Sequence, residues 1–175
     1  MFKIIIIIIA VLIAAILIYA ATRPDTFRVE RSLSIKAPPE KIFPHINDFH
    51  QWQAWSPWEK IDPVAKTAHS GANNGVGAVY EWNGNNEVGQ GHMEIIESSP
   101  PSKVVLKIDF IKPFEGHNII EFTLVPQDDT TTVTQAMYGS SPYLSKVMCL
   151  FFSMDKMVGT KYEEGLATLK AIAEN

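Results

Sequence analysis

The chain has 175 residues, 46% of them hydrophobic, and a formal net charge of −4. Its size and composition are typical of one folded domain and exclude a disordered chain, and its acidic balance argues against a nucleic-acid-binding protein. The single cysteine, Cys149, excludes an internal disulfide and a zinc site made of several cysteines.

An uncharged apolar run opens the chain at residues 4–21. As a helix this run measures about 27 Å, close to the thickness of the hydrocarbon core of a bilayer. Lys3 and Arg23 flank the run, as basic residues often flank membrane-spanning helices. We therefore expect a retained transmembrane anchor in residues 1–23, followed by a folded domain in residues 24–175.

A cleaved signal peptide is the first alternative to this anchor, and a buried core helix is the second. The apolar region of a signal peptide has roughly 7–15 residues and ends in small residues. Here the run is longer, and a cut after Ala20 or Ala21 leaves the bulky Ile18 or Tyr19 at the third position before it. The side of the membrane on which the folded domain lies stays open. The basic residues after the run favour the cytoplasmic side for the domain, whereas the short tail before the run favours the opposite side.

The domain begins with a predicted strand at residues 26–36, in which apolar residues occupy every second position. Arg31 takes one of these apolar positions and is therefore expected on the inward face. Pro39 suits the first turn of a short helix, and a second short helix is predicted over Phe49–Trp55. Residues 59–75 are predicted as a loop.

Five further strands follow in quick succession, separated by turn residues. They are predicted at residues 76–82, 89–97, 103–111, 117–125 and 131–138. Because tight turns join them, an antiparallel meander is expected. Residues 143–174 are predicted as one long helix, since apolar residues recur there at steps of three and four.

These elements predict an α+β fold in which a curved antiparallel sheet packs against a long C-terminal helix, with two short helices after the first strand. A domain of this size is large enough to enclose a cavity between sheet and helix. Periodicity places ten apolar candidates at or near such a cavity. They are Trp55, Trp58, Tyr80, Trp82, Met93, Phe110, Phe122, Met137, Met154 and Tyr162. Each of them suits core packing as well, since large apolar residues dominate cores.

Three polar residues, Arg31, Glu97 and Gln135, share the inward parity of the strands. Arg31 is the candidate partner for an anionic ligand group because its guanidinium is a planar fork of donors; the alternatives are an exposed strand end or an internal ion pair. His92 and Glu94 share the opposite face, so a solvated surface is expected there rather than an acid–base pair. No third ligand with suitable spacing completes a metal site.

Several motifs follow one another in a set order along residues 27–172. VERSLSIKAP and EKIF span residues 29–43, and NDFxxWxxWSPW spans residues 47–58. YxWxG at residues 80–84, GxGxM at residues 89–93 and GLxxLK at residues 165–170 complete the set. In this order they resemble the START-like, Bet v 1-like superfamily, also called SRPBCC, and most closely its bacterial polyketide cyclase/dehydrase-like group.

The resemblance implies a helix-grip fold, and several such bacterial proteins carry an N-terminal hydrophobic helix. It implies that the cavity binds a small hydrophobic or amphipathic molecule, lipid or polyketide-like, with no cofactor. The expected partners are therefore this molecule and, through the N-terminal helix, a membrane, with no nucleic acid.

Two alternative functions stay open. One is a cyclase- or hydrolase-type enzyme that uses the same cavity together with a buried titratable group of strongly shifted pKa. The other is a co-chaperone-like interaction module, which predicts a filled core and an exposed apolar patch.

Overall fold

The computed structural model describes residues 2–175, and its centre is one seven-stranded antiparallel sheet. The strands are β1 (Thr26–Ile35), β2 (Lys66–Gly71), β3 (Ala78–Asn83), β4 (Gln90–Ser99), β5 (Lys103–Lys112), β6 (Gly116–Gln127) and β7 (Thr130–Ser140). They lie in the order β1-β7-β6-β5-β4-β3-β2. The first strand therefore pairs with the last, and β3 to β7 form the expected meander of five strands.

The described residues also form six α-helices. They are α1 (Phe2–Ala21), α2 (Pro39–Asn47), α3 (Trp52–Trp55), α4 (Trp58–Ile61), α5 (Tyr143–Met148) and α6 (Met154–Ala173). A short 3₁₀ helix at Phe49–Gln51 leads into α3. Helix α6 packs against β1, α2 and α3, which confirms the predicted α+β class and the helix-grip arrangement.

The inner face of the sheet is the one that packs against α6, and it carries the apolar residues of each strand. On β6, for example, Ile120, Phe122 and Leu124 are buried while the residues between them are partly exposed. Helix α6 contributes Leu166 and Leu169 to the same core. Each fully buried side chain of this size stabilises the fold by about 1.5–3 kcal/mol relative to its exposed state.

Two glycines let α6 approach its neighbours closely. A Cβ atom at Gly159 would lie 2.2 Å from Nη2 of Arg31, and one at Gly165 would lie 3.1 Å from Cδ of Pro57. In each case a side chain of a neighbouring element occupies the space that a Cβ atom would need. The glycines that weaken the helical pattern in the sequence are therefore positions of contact between α6 and the rest of the domain.

The prediction of one helix over residues 143–174 is wrong. Helices α5 and α6 are separated by residues 149–153, and Ser153 begins α6 by accepting a 3.2 Å hydrogen bond from the backbone N of Lys156. Apolar residues before the break are exposed, Leu144 to 65%. Most of the large apolar residues of α6 face the core, whereas those of α5 face outward. Both sets recur at steps of three and four, so the pattern in the sequence continues through the break.

The predicted loop at residues 59–75 also differs from the structure, which contains β2 and most of α4 in this region. All six residues of β2 are exposed, and the strand pairs only with β3 at the edge of the sheet. Since neither face of β2 is buried, its sequence has no alternation of apolar and polar residues. Periodicity therefore contains no signal for this strand.

Helix α1 is apolar from Ile4 to its end at Ala21, with Lys3 in its first turn. Among residues 2–175 it is the one helix that is long and apolar enough to span a membrane. Nearly all its side chains are exposed, and Ala20 is buried at the end where α5 packs against it.

Candidate ligand-binding cavity

A largely apolar cavity of about 190 Å³ lies between the inner face of the sheet, helix α6 and the α3–α4 segment. Aromatic and aliphatic side chains form most of its wall. They include Trp52, Trp55, Trp58, Val88, Met93, Ile108, Phe110, Ile120, Met137 and Val158. The polar and charged groups that reach it come from Glu59, Asp62, Gln135 and Lys161, among others.

The cavity lies toward one end of the sheet, as the pairing of its lining residues shows. We call this end the α1 end, because α1 leads into β1 there. Strands β1, β2, β4 and β6 start at this end, and strands β3, β5 and β7 finish at it. Met137 pairs with Ile120, and Gly91 pairs with both Phe110 and Trp82, all toward that end. At the opposite end α2 packs on the sheet and the inner face is filled.

An aromatic wall closes the cavity on the β3 side. The rings of Tyr80 and Trp82 stack at 6.3 Å, and Phe110 meets Trp82 edge-on at 5.9 Å. A Cβ atom at Gly91 would lie 2.5 Å from the Trp82 ring, so this glycine provides the space for the indole. The Trp82 indole N–H donates a 3.0 Å hydrogen bond to the carbonyl of Val88, which leaves its apolar face for the cavity.

Glu59 on α4 and Asp62 just after it line the cavity beside the exposed Trp58, and we call this part of the cavity its mouth. Each of the two carboxylates is held by a hydrogen bond. Tyr80 donates its hydroxyl to Glu59 Oε1 at 2.5 Å, and the backbone N of Asn85 donates to Asp62 Oδ2 at 2.7 Å. Burial raises the pKa of the Tyr80 phenol above its ordinary value, and the bond to Glu59 raises it further. Tyr80 is therefore a hydrogen-bond donor at neutral pH.

Two buried polar atoms on the wall of the cavity lack hydrogen bonds in residues 2–175: Gln135 Oε1 on β7 and the hydroxyl of Tyr162 on α6. Both side chains are buried, at 5% and 3% exposure. Burial raises the pKa of Tyr162, and the nearby Gln135 side chain acts in the opposite direction without forming a bond of normal geometry. Buried polar groups are nearly always paired, so these two atoms are the polar groups on the wall that are free to pair with a further group.

Eight of the eleven residues singled out in the sequence line this cavity. They are Trp55, Trp58, Tyr80, Trp82, Met93, Phe110, Met137 and Tyr162. The other three, Phe122, Arg31 and Met154, lie elsewhere.

Phe122 is fully buried beneath α3, with its ring edge-on to Trp52 and Trp55 at 6.0 and 6.1 Å. It has the inward parity of a lining residue but lies farther along its strand, in the filled part of the core.

Arg31 forms ion pairs with two exposed carboxylates of α6, so it is neither a free strand end nor part of an internal ion pair. Its guanidinium donates to Asp155 Oδ1 at 2.9 Å and to Glu163 Oε1 at 2.6 Å on α6, so it is occupied outside the cavity. Met154 lies at the first turn of α6 and lines a separate groove beside α5, because the long helix that would carry it inward is broken.

Four further residues that the sequence pattern does not indicate also reach the cavity: Glu59, Asp62, Thr67 and Lys161. The first three lie in the segment predicted as a loop, where charged and hydroxyl side chains are expected in solvent. Tertiary structure brings them to the mouth by folding this segment over the edge of the sheet. No periodic signal in the sequence distinguishes them.

The outer face of the sheet carries a separate polar cluster around Asp109, which is buried at 5% exposure. His117 Nδ1 lies 2.6 Å from Asp109 Oδ1, while His92 Nε2 and Lys107 Nζ lie 3.0 and 2.8 Å from Oδ2. His92 thus has the orientation predicted from its parity, opposite to the buried Met93. Within residues 2–175 no group of three metal-ligating side chains is arranged around a common point.

Solved structures share the fold of this domain at low sequence identity. Protein CV1439 from Chromobacterium violaceum superposes with a TM-score of 0.60 at 17% identity, over 87% of this chain and 99% of that one. The Aha1 dimer from Colwellia psychrerythraea gives 0.58 at 20% identity over 85% and 96%. The di-domain ARO/CYC StfQ from the steffimycin biosynthetic pathway gives 0.61 at 11% identity over 85% and 51%.

No curated protein matches the chain significantly. A family model, however, matches residues 26–174, and its description is polyketide cyclase / dehydrase and lipid transport. This match spans every strand and helix that encloses the cavity. The chain therefore belongs to the polyketide cyclase / dehydrase and lipid transport family.

Proposed function

We propose that this protein binds a small hydrophobic or amphipathic molecule, lipid or polyketide-like, in the cavity between the sheet and α6. The observation that carries the proposal is an apolar cavity with two unpaired polar atoms on its wall, Gln135 Oε1 and the Tyr162 hydroxyl, within the part of the chain described. An unpaired buried polar group costs about 1–3 kcal/mol, which a ligand that pairs with it recovers. The family description, which includes lipid transport, supports the same proposal.

The size of the cavity limits the ligand. An apolar cavity of about 150 Å³ holds benzene. At about 190 Å³, this cavity accommodates a one- or two-ring molecule or the end of an acyl chain. The rest of a larger ligand would extend out past Trp58, which lines the cavity and is 39% exposed.

An enzymatic role is the second candidate, and it rests on the hydrogen-bonded pair of Glu59 and Tyr80 at the cavity mouth. General acid–base catalysis is most effective when the pKa of the group lies near the working pH. The pKa values of Tyr80 and Tyr162 are both raised away from neutrality. These groups are therefore suited to donate hydrogen bonds to a ligand, and binding remains the favoured function.

A protein-interaction module is the third candidate. Its expected signs were a filled core and an exposed apolar patch. The cavity argues against the first sign, while exposed apolar residues do surround α5.

We further propose that residues 1–23 anchor the domain in a membrane. The exposed surface of α1 supports this, because Ile5, Ile9 and Ile13 are each more than half exposed and a bilayer would cover them. The intact mass of the protein purified from membranes tests the proposal. The mass of the whole chain supports the anchor, whereas the mass of a chain that begins at residue 21 or 22 would show a cleaved signal peptide.

Native mass spectrometry tests the ligand proposal on the full chain, purified from its host in a mild detergent. We expect an added mass that leaves when the protein is denatured. Met137→Trp fills the cavity and should abolish the added mass. Met154→Trp makes the same change outside the cavity and should leave it unchanged.

Should Met137→Trp fail to fold, Ile120→Phe reduces the cavity from the neighbouring strand with a smaller change in volume. Loss of the added mass in the cavity variants alone supports the proposal. Equal retention in Met137→Trp and Met154→Trp would place the bound molecule elsewhere and contradict it.

A further inference from the structure

A patch of exposed apolar side chains surrounds α5 and the turn that follows it. Leu144, Phe151, Phe152 and Met157 are exposed to 65%, 66%, 62% and 61%; we call these four residues the apolar platform. Single exposed apolar residues are ordinary, but a cluster of large ones identifies a surface that is covered in use.

The apolar platform adjoins the end of α1. Helix α5 packs against α1, and Tyr143 at its start donates a 2.8 Å hydrogen bond from its hydroxyl to the carbonyl of Leu17. The last turn of α1 and the start of α5 therefore lie at the same level. Because Ile18 and Tyr19 of α1 are also exposed, to 68% and 53%, the two apolar surfaces are neighbours and the same surroundings would cover both.

The carboxylates next to the apolar platform are each paired with a base. Asp25 forms an ion pair with the buried Lys146, and Asp155 pairs with Arg31 at 2.9 Å. Pairing lowers the cost of bringing a carboxylate close to an apolar medium. The charges at this surface therefore do not prevent contact with lipid.

The apolar platform also lies at the α1 end of the sheet, the end at which the ligand cavity is found. The backbone carbonyl of Asp25 accepts a hydrogen bond from the backbone N of Ser141. This bond connects the segment before β1 to the segment that leads into α5. At the same end, Ile111 near the end of β5 and Phe114 in the turn between β5 and β6 are also exposed. The apolar platform and this exposed turn therefore lie at the same end of the sheet as the cavity.

We propose that the apolar platform, Leu144, Phe151, Phe152 and Met157, is a bilayer-contacting surface that holds the cavity end of the domain against the membrane in which α1 is anchored. The proposal rests on the proposed membrane anchor. A lipid surface is favoured over a protein partner because the apolar platform adjoins the end of the exposed, apolar α1. A ligand drawn from the bilayer would then have a short path to the cavity.

Spin labels read out by electron paramagnetic resonance test this surface in the full chain, reconstituted into vesicles of phosphatidylcholine and phosphatidylglycerol. Cys149, the single cysteine, is exposed and lies in the turn after α5, so it carries the reporter label. Two further positions, each in a Cys149→Ser background, are Ile9→Cys within α1 and Asp129→Cys on the β6–β7 turn. Asp129 is at the opposite end of the sheet and is 72% exposed.

The measured quantity is the accessibility of each label to oxygen, which concentrates in lipid, relative to a water-soluble nickel complex. We expect this ratio to be several-fold higher at Cys149 than at Asp129→Cys, and highest at Ile9→Cys. A low ratio at Cys149 with a high ratio at Ile9→Cys would overturn the bilayer-contacting surface and leave the anchor intact, and a protein partner would then be the occupant.

Low ratios at both Cys149 and Ile9→Cys would overturn the anchor together with this surface. A high ratio at Cys149 alone would support lipid contact by the apolar platform without a spanning α1.

Discussion

Tyr80 and Glu59 join the sheet to the mouth of the cavity through a 2.5 Å hydrogen bond. Glu59 lies on α4, which has only four residues, and a helix this short is not stable by itself. The bond therefore helps hold α4 in place, and with it the half-exposed Trp58 beside the opening.

Tyr80→Phe removes this hydrogen bond and keeps the aromatic ring. We expect the free energy of unfolding to fall by about 1 kcal/mol, the usual contribution of one hydrogen bond at a partly exposed site. We also expect bound ligand to dissociate faster because α4 is less well held. Urea denaturation and the rate of ligand release measure these effects, with Tyr138→Phe on the outer face as the control. Equal effects in both variants would contradict a special role of the Glu59 bond.

Tyr162→Phe tests whether the unpaired hydroxyl serves a ligand. Removing it relieves a buried polar atom, so the ligand-free protein should become more stable by about 1 kcal/mol. Affinity for 2-naphthol, which carries a hydroxyl, should fall about tenfold, the equivalent of about 1.4 kcal/mol, while affinity for naphthalene stays unchanged. Equilibrium dialysis of the protein in nanodiscs against empty nanodiscs measures the affinities for 2-naphthol and for naphthalene. Gln135→Leu should give the same pattern, and a loss of stability in both variants would show that the atoms are paired in the unliganded state.

Gly159→Ala tests the contact between α6 and Arg31. Alanine favours a helix by about 1 kcal/mol over glycine. Here, however, the new Cβ atom would lie 2.2 Å from the Arg31 guanidinium, which Asp155 and Glu163 hold in place. We therefore expect the substitution to destabilise the protein, and to stabilise it in an Arg31→Ala background. A double-mutant cycle by urea denaturation measures this reversal of sign; the same sign in both backgrounds would disprove it.

Asp109→Asn tests the polar cluster on the outer face. Burial raises the pKa of Asp109, but hydrogen bonds from Lys107 and His117 and the positive charges of Lys107 and His92 outweigh it and hold the pKa below its ordinary value. A carboxylate with a lowered pKa stabilises the fold above about pH 4, and this contribution is lost as the pH falls through the pKa of the folded state. The variant should thus be less stable by about 2 kcal/mol at pH 7, with a smaller difference at pH 3. A difference that does not change with pH would contradict this explanation.

Alternation along the strands predicted which face of each strand is inward, and the burial of Tyr80, Met93 and Met137 agrees with that prediction. It did not separate Met137, which lines the cavity, from Phe122, which fills the core on the next strand. Parity depends on the direction of a side chain from its own strand. Whether the space in front of it is filled depends on residues far away in the chain, here Trp52 and Trp55 of α3.

The sequence by itself determined the α+β class, the meander of five strands and the apolar N-terminal helix, because each of these follows from local periodicity and turn residues. Only the tertiary structure decided the break between α5 and α6, the edge strand β2 and the position of the cavity at the α1 end of the sheet. The physical reason is that a break leaves the spacing of apolar residues intact, while an exposed edge strand has no buried face to create a pattern. A cavity, finally, is a space between elements, and its walls come from residues as distant in the chain as Glu59, Trp82 and Tyr162.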